Sequence, residues 1–418
     1  MVAQGPQPHA LIPTHPAAAG DGRRLVVALS LVLALWLAVL LALGGLVALF
    51  GRGDRFNIAG WELTHLADEL VKHTMTAPFQ RAASPADLRQ FFALEAEATS
   101  LRARLITQPD ATAQIQLDAD ERRIAGLRLR VELRFEQAIG DAARQAGLTT
   151  SVPLFGSAGL LWPPVAVALV QPPHILIVSP RTRIALESTT LLQSDLSRAQ
   201  AARIERTAEE RPNTSALVDQ IGGLGSYPSI DDESDSPLDL IQTTAHEWVH
   251  EYLAFHPLGA RYAQSDDMTL INETVANLVG RELGSAAFAE LGLPLPAPAQ
   301  PRAGAIDFDR TLHTLRLEVD QLLAQGRVDE AEQRMNETAA LLRANGYAIR
   351  RINQAYFAFY GSYGDTAASS NPLGGEIVSL RRLSPSLAAF VRSVQGIAQP
   401  ADLRRLLRQV GGAQAGAP

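Results

Sequence analysis

A run of 26 residues without a charged side chain, Leu25 to Phe50, constrains the fold more than any other feature of the sequence. As a helix this run reaches about 39 Å, enough to cross a hydrocarbon core of roughly 30 Å. A cleaved signal peptide has a shorter apolar region, of about 7–15 residues, and a buried soluble helix rarely continues so far without a charge. We therefore expect a disordered tail over residues 1–24 and a transmembrane helix over residues 25–50, in contact with the lipid bilayer.

The charges that flank this run leave its orientation open. Arg23 and Arg24 precede it, and Arg52 and Arg55 follow it, so a count of positive charges is equal on the two sides. Because only a short polar tail precedes the run, we favour an orientation in which the C-terminal domain lies outside the cytoplasm. The expected localisation is thus a single-pass membrane protein with an extracytoplasmic C-terminal domain.

Composition excludes several classes of protein. A hydrophobic fraction of 47% with a net charge of -7 excludes disorder of the whole chain. The acidic balance argues against a protein that binds nucleic acid through a basic surface, so we expect no nucleic-acid partner. The chain has no cysteine, which excludes a disulfide framework and thiolate ligands for a metal.

Hydrophobic periodicity divides the rest of the chain into three segments. Residues 51–150 are expected to form a helical subdomain. Residues 151–292 begin with short β-branched runs that predict a small sheet and continue with two helices. Residues 293–418 begin with a Pro/Ala-rich linker over 293–302 and are expected to form a second helical subdomain. The predicted fold class is α+β, predominantly helical.

Capping residues and apolar spacing locate the individual elements. Strands are predicted at residues 165–170, 175–178 and 184–192, and the first two runs could also pair as a hairpin. Helices are predicted at residues 61–75, 84–105, 118–145, 237–256, 267–283, 307–324, 328–344, 352–360, 386–394 and 401–410.

The segment His246-Glu247-Trp248-Val249-His250 has the spacing HExxH within a predicted helix. Residues i and i+4 lie on one face of a helix, so both imidazoles can reach one metal ion. Zinc lowers the pKa of a bound water to about 7, and Glu247 is placed to take the proton from that water. The motif predicts a site for one Zn²⁺ ion with Glu247 as general base, whereas two unrelated histidines on a surface helix are the alternative.

A zinc site of this kind needs a third protein ligand, and two residues are candidates. His256 completes the spacing HExxHxxxxxH, but six residues along an unbroken helix turn a side chain by about 240° away from His250. No glycine or proline stands between these two histidines to break the helix. Glu273, on the next predicted helix, can approach after the chain has reversed. We therefore expect Glu273 to be the third ligand.

The two helical motifs together resemble those of the gluzincin metallopeptidases. In that clan Asn-Glu-x-x-x-Asp supplies the zinc-binding glutamate, and the aspartate one turn later orients the first histidine. Glu273 and Asn277 occupy these positions here, with an asparagine where the clan has the aspartate. The resemblance implies a zincin-like metallopeptidase core over residues 151–292, in which Asn277 holds the imidazole of His246.

A nearer resemblance is to the bacterial predicted-aminopeptidase family, which is usually membrane-associated. Its pattern is HExxH, then Asn-Glu-Ser/Thr-x-Ala, then a distal Asn-x-Ala segment that ends in a tyrosine; here that segment begins at Asn353 and leads to Tyr363. The resemblance implies that the Tyr363 hydroxyl stabilises the oxyanion of the tetrahedral intermediate. The alternative donors are Tyr356, Tyr360 and His313.

These features predict a membrane-anchored, zinc-dependent peptidase that acts on a peptide or protein substrate. The narrower version of this prediction is an aminopeptidase. The glycine-rich segment from Gly222 to Pro228 could be the edge strand that pairs with an extended peptide. Two alternatives stay open, namely a non-catalytic membrane-anchored helical scaffold or binding protein with a structural metal site, and a different zinc hydrolase on the same motif. Retention of Glu247 favours an enzyme, because an inactive descendant can lose this residue and keep the metal.

Overall fold

The computed structural model describes residues 54–72, 81–151, 159–232, 236–295 and 306–415. Most of these residues are helical and a minority form short strands, so the predicted class, α+β with mainly helices and a small sheet, is confirmed. The tail predicted over residues 1–24 and most of the linker predicted over 293–302 lie outside the described residues.

The predicted localisation, a single-pass membrane protein with an extracytoplasmic domain, is contradicted and has to be corrected. None of the helices in the described ranges is both long and apolar enough to cross a bilayer. The longest of them, Ala111–Gln145, carries charged residues at intervals from Asp118 to Arg144. The transmembrane helix predicted over residues 25–50 itself lies outside the described residues.

Three helices form the N-terminal part of the described chain: α1 (Ile58–Val71), α2 (Pro85–Thr107) and α3 (Ala111–Gln145). Ser84 caps α2, since its hydroxyl accepts the N–H of Asp87 and the Asp87 carboxylate accepts the N–H of Ser84. Helix α3 begins well before the predicted residue 118, because the carboxylate of Asp110 caps it at that earlier point.

Among the described residues, eight short strands between Thr150 and Asp231 form three small sheets. The central one is antiparallel, in the order β5-β4-β6, and a second has the order β3-β8-β7, with β3 parallel to β8. The possible hairpin of residues 165–170 with 175–178 is therefore wrong, because β5 and β6 occupy both edges of β4. The strands are β1 (Thr150–Ser151), β2 (Gly159–Leu160), β3 (Val167–Leu169), β4 (His174–Pro180), β5 (Ser188–Leu192), β6 (Thr214–Gln220), β7 (Gly223–Leu224) and β8 (Ser229–Asp231).

Two long helices follow the sheets. Helix α5 (Pro237–Ala254) is joined by the short helix α6 (Pro257–Ala260) and a 3-10 turn at Tyr262–Gln264 to helix α7 (Asp266–Glu290). Before them, helix α4 (Arg198–Glu209) connects β5 to β6; the sequence did not predict it. Six helices lie between residues 306 and 415, and α11 among them was also not predicted: α8 (Phe308–Ala324), α9 (Val328–Ala344), α10 (Gln354–Tyr360), α11 (Pro372–Leu383), α12 (Leu387–Val394) and α13 (Pro400–Ala415).

Two large hydrophobic cores organise the described elements, and a third, small cluster consists of Leu192, Ala201 and Val218. The larger core packs α2 and α3 against α5, α7 and the last three helices, with Trp248 among its largest buried side chains. The second core packs Ile177 of β4 and Leu217 of β6 against helices α8 to α10. Residues from all three predicted segments thus share the larger core, whereas the second core contains only residues after 150. A cleft opens between the α5–α7 pair and the central sheet.

Candidate metal centre

Helix α5 carries the HExxH motif and begins where the sequence predicts. The Ser236 hydroxyl accepts the N–H of Asp239, and Pro237 occupies the first turn. Trp248 and Val249, between the two histidines, are buried in the larger core. Burial of this face turns the opposite face of α5, with His246 and His250, toward helix α7 and the cleft.

Three side chains converge between helices α5 and α7. The Nε2 atoms of His246 and His250 lie 3.0 Å apart. Oε2 of Glu273 lies 3.5 Å from Nε2 of His246 and 3.3 Å from Nε2 of His250. Donor atoms of His246, Glu247 and His250 also lie within 4.8 Å of one another. The structure thus brings together the predicted ligands and the predicted base.

Each of these side chains is held by a further polar group. The Asn272 Oδ1 atom lies 2.8 Å from Nδ1 of His250, and the Asn272 amide donates to the Leu258 carbonyl at 3.3 Å. The Tyr262 hydroxyl donates to Oε1 of Glu273 at 2.5 Å. The imidazole of His246 is hydrogen-bonded by the side chain of Asn277, as the resemblance implies.

Gly280 allows helices α5 and α7 to approach closely at the site. A Cβ atom at this position would come within 2.7 Å of the backbone N and Cα of His246. Any larger residue would therefore separate the helix that carries the histidines from the helix that carries Glu273. The sequence contains this glycine one turn after Asn277, but nothing in the local pattern distinguishes it from an ordinary helical glycine.

Electrostatic interactions set the protonation of the cluster. Burial by itself would raise the pKa of Glu273, but the charge of His250 and the contacts of both imidazoles lower it far below the ordinary value. Burial opposes a charge on His250, yet the carboxylates of Glu273 and Glu247 raise its pKa to about 9. Burial lowers the pKa of His246. The site therefore stabilises a carboxylate on Glu273 next to positive charge.

Glu247 lies under the glycine-rich strand. Its side chain accepts the N–H of Gly225, and a Cβ atom on Gly223 would come within 2.6 Å of its Oε1. Burial raises the pKa of Glu247 to about 8, with a smaller contribution from the charge of Asp231 and opposition from His250. A cation beside this carboxylate would favour its ionised form, in which it can accept a proton.

The cleft over these residues has a volume of about 650 Å³. The strand β7 lines it and lies at the edge of its sheet, with β8 as its neighbour on the other side. Four apolar side chains line the same cleft: Ile175 and Leu191 of the central sheet, Ile221 directly after β6, and Phe359 of helix α10.

Tyr363 lines the cleft, and its ring centroid lies 6.2 Å from that of His246. Burial and the negative charges of Glu273 and Glu247 raise its pKa well above the ordinary value, so its hydroxyl keeps its proton. The Tyr360 hydroxyl donates instead to Asp219 at 2.9 Å. Tyr356 packs in the second core.

The two histidines considered as alternatives lie apart from the cluster. Helix α5 ends at Ala254, and His256 has an extended backbone with its ring against Tyr252, at a centroid distance of 4.7 Å. The predicted helical position of His256 is therefore wrong, although its separation from the cluster is as predicted. His313 lies near the carbonyl of Ala367, at 3.3 Å, and does not line the cleft.

Sequence reasoning missed Tyr262, Asn272 and Asp365. Asn272 directly precedes Glu273, so the motif itself contained this signal. Tyr262 lies in the short connection between α6 and α7, and Asp365 lies 88 residues after its partner Asn277. No local pattern pointed to either of them.

No protein-family model matches this chain, and neither a curated protein nor a solved structure matches it.

Proposed function

We propose that this protein is a zinc-dependent peptidase of gluzincin type, with a zincin-like core, that hydrolyses peptide bonds with water. The observation that carries the proposal is the convergence of His246, His250 and Glu273 at the floor of a cleft, with Glu247 beside them. The aminopeptidase form of the proposal rests on the sequence resemblance alone.

The donor set fits a divalent cation. Two imidazole nitrogens at 3.0 Å repel each other through their lone pairs unless a proton or a cation lies between them. Two histidines and one glutamate are a ligand set that zinc uses in hydrolytic enzymes, with a further position open to water. When bound, Zn²⁺ would supply Lewis acidity and make a water molecule acidic near neutral pH.

Glu247 would move the protons of the reaction. As a carboxylate it would take a proton from the attacking water, and it would then give this proton to the nitrogen of the leaving amine. The backbone of Gly223 and Gly225 covers one side of the Glu247 carboxyl group and restricts the access of bulk water on that side. Removal of a group with this role lowers turnover by about 10²–10⁴-fold.

Two other features would bind the substrate. The hydroxyl of Tyr363 would donate a hydrogen bond to the oxygen that becomes negative during attack. The free side of strand β7 would pair with the backbone of an extended peptide and place its scissile bond over Glu247. Each role needs only groups that already line the cleft.

The test is metal analysis of the purified full-length protein, followed by a peptide-library cleavage assay with and without a chelator. The expected result is one zinc per chain and cleavage that is lost on chelation and restored by zinc. A protein that binds no zinc would overturn the proposal. Bound zinc without cleavage of any peptide would replace it with a binding protein that has a structural metal site.

A further inference from the structure

We propose that Asp365 is a positioning residue for His246, because through Asn277 it determines which nitrogen of that imidazole carries the proton. The inference rests on the proposed function, in which Nε2 of His246 binds the metal. It assigns a role to a residue of the loop between α10 and α11, far along the chain from both helices of the site.

The side chain of Asp365 lies directly behind Asn277. Its Oδ1 accepts a hydrogen bond from Nδ2 of Asn277 at 3.1 Å, and its Oδ2 forms an ion pair with Arg281. The Asp365 side chain is 5% exposed, whereas that of Arg281 is 50% exposed. A buried carboxylate that has one partner at the surface and one at the site is therefore oriented by both.

The loop that carries Asp365 is fixed against helix α7 by a separate contact. The N–H of Gly364 donates to the Thr274 hydroxyl at 2.9 Å, and a Cβ atom on Gly364 would come within 2.8 Å of that hydroxyl. Because this contact is adjacent to Asp365, the position of the carboxylate does not depend on Arg281 alone.

The amide of Asn277 transmits this orientation to the histidine. Nδ2 of Asn277 points to Asp365, so its Oδ1 is left to accept a hydrogen bond. Nε2 of His246 faces His250 and Glu273, so we assign the hydrogen bond with Asn277 to Nδ1. An imidazole that donates from Nδ1 keeps the lone pair on Nε2 free for a metal.

A reversed amide would have the opposite effect. If Asn277 turned its NH₂ group to the ring, Nδ1 would have to accept, the proton would move to Nε2, and the metal-binding lone pair would be lost. With the amide reversed, the Oδ1 of Asn277 would also face the Asp365 carboxylate. Repulsion between these oxygens makes the reversed orientation unfavourable, and this is the role of Asp365.

The second histidine has an equivalent arrangement without a charge. Oδ1 of Asn272 lies against Nδ1 of His250, and its Nδ2 donates to the backbone carbonyl of Leu258. In both cases an asparagine presents oxygen to Nδ1 because a second acceptor holds its amide nitrogen. The backbone carbonyl cannot be removed by substitution, but the Asp365 carboxylate can.

The experiment compares variants of the full-length protein by the zinc dissociation constant, measured in competition with a chromophoric chelator. Asp365→Leu removes the acceptor, and Asp365→Asn removes the charge and retains an acceptor. Glu282→Gln is the matched control. Glu282 is also a residue of an ion pair between α7 and the C-terminal helices, since its carboxylate accepts from Arg381 of α11 at 2.7 Å. Both of these hydrogen bonds come from Arg381 and neither comes from a histidine.

We expect Asp365→Leu to weaken zinc binding by about tenfold, the lower end of the effects seen for groups that orient a ligand. The control should bind zinc as the wild type does. In metal-free protein labelled with ¹⁵N-histidine, the His246 ring should shift from the Nδ1–H tautomer toward a mixture of tautomers in Asp365→Leu. Addition of Asn277→Asp to Asp365→Asn should restore most of the affinity, since it places a carboxylate directly on Nδ1.

Equal zinc affinity of Asp365→Leu and Glu282→Gln would overturn the inference, and so would an unchanged His246 tautomer. Weaker affinity that Asn277→Asp fails to restore would indicate a merely structural role and would also overturn it. If Asp365→Leu does not fold, Asp365→Asn with its rescue decides by the same criteria. A wild-type protein without zinc affinity would instead refute the proposed function itself, together with this inference.

Discussion

The ammonium nitrogen of Lys72 lies 2.7 Å from Oε1 of Glu136, inside the protein. It also lies 3.0 Å from Glu69 and 3.7 Å from Glu132, so that one cation faces three carboxylates. Lys72 is the only lysine in the sequence. Because Glu136 also accepts the N–H of Val167 at 3.1 Å, the cluster joins helices α1 and α3 to strand β3.

Replacement of Lys72 by methionine should destabilise the protein strongly. The substitution removes the cation that Glu69, Glu132 and Glu136 share, and the loss of one partner of a buried ion pair typically costs about 3–5 kcal/mol. The measurement is the free energy of unfolding in urea. The control is Arg334→Gln, which breaks exposed ion pairs with Glu318 and Glu337 and should cost less than about 1 kcal/mol. Equal losses in the two variants would show that the cluster does not stabilise the fold.

The same cluster predicts a pH dependence of stability. Burial raises the pKa of Glu136 from 4.5 to about 7, although the charge of Lys72 opposes this shift. Since the folded state binds the proton more tightly, the stabilisation from this group is complete below pH 4.5 and is lost as the pH rises through about 7. The free energy of unfolding of the wild type, relative to Glu136→Gln, should therefore fall between pH 5 and pH 8. A difference that grows with pH would contradict this assignment.

Glu247→Gln should abolish hydrolysis and retain zinc. The amide has the size of the carboxylate but cannot take a proton from water, so turnover should fall by about 10²–10⁴-fold. Zinc content and peptide turnover are measured on the same preparation. Near-normal turnover in a zinc-loaded variant would exclude Glu247 as the general base.

The third ligand can be identified with one pair of variants. Glu273→Ala should lose both zinc and activity, because its Oε2 lies within 3.5 Å of both Nε2 atoms. His256→Ala should retain both, because His256 packs on Tyr252 beyond the end of α5. Zinc content by elemental analysis decides between them, and the reverse result would make the site metzincin-like.

Tyr363→Phe should lower turnover by at most about 10²–10³-fold, the usual cost of one oxyanion donor, and should leave zinc binding unchanged. Tyr360→Phe is the matched control, because the hydroxyl of Tyr360 is already engaged by Asp219. Steady-state kinetics of the two variants test the assignment. If only Tyr360→Phe is impaired, the oxyanion donor is Tyr360.

The sequence predicted those parts of the site whose positions depend only on residues nearby in the chain. Ser236 and Pro237 marked the start of α5, and the HExxH spacing placed both histidines on one face of it. The positions of Tyr262 and Asp365 depend on how a short connection and a distant loop pack against α7. Such contacts arise from tertiary packing, which leaves no periodicity or cap in the sequence, and for this reason they could not be predicted.

Gly364 and Asp365 contact helix α7 about 90 residues after the residues that they meet. A ribosome adds roughly 5–20 residues per second, so this stretch takes about 4–18 s to synthesise. During that interval a nascent chain already contains His246, His250, Glu273 and Glu247 but still lacks Tyr363. If the proposed function holds, the order of synthesis would complete the cation site before the catalytic site, so the growing chain would bind metal before it could cleave its neighbours.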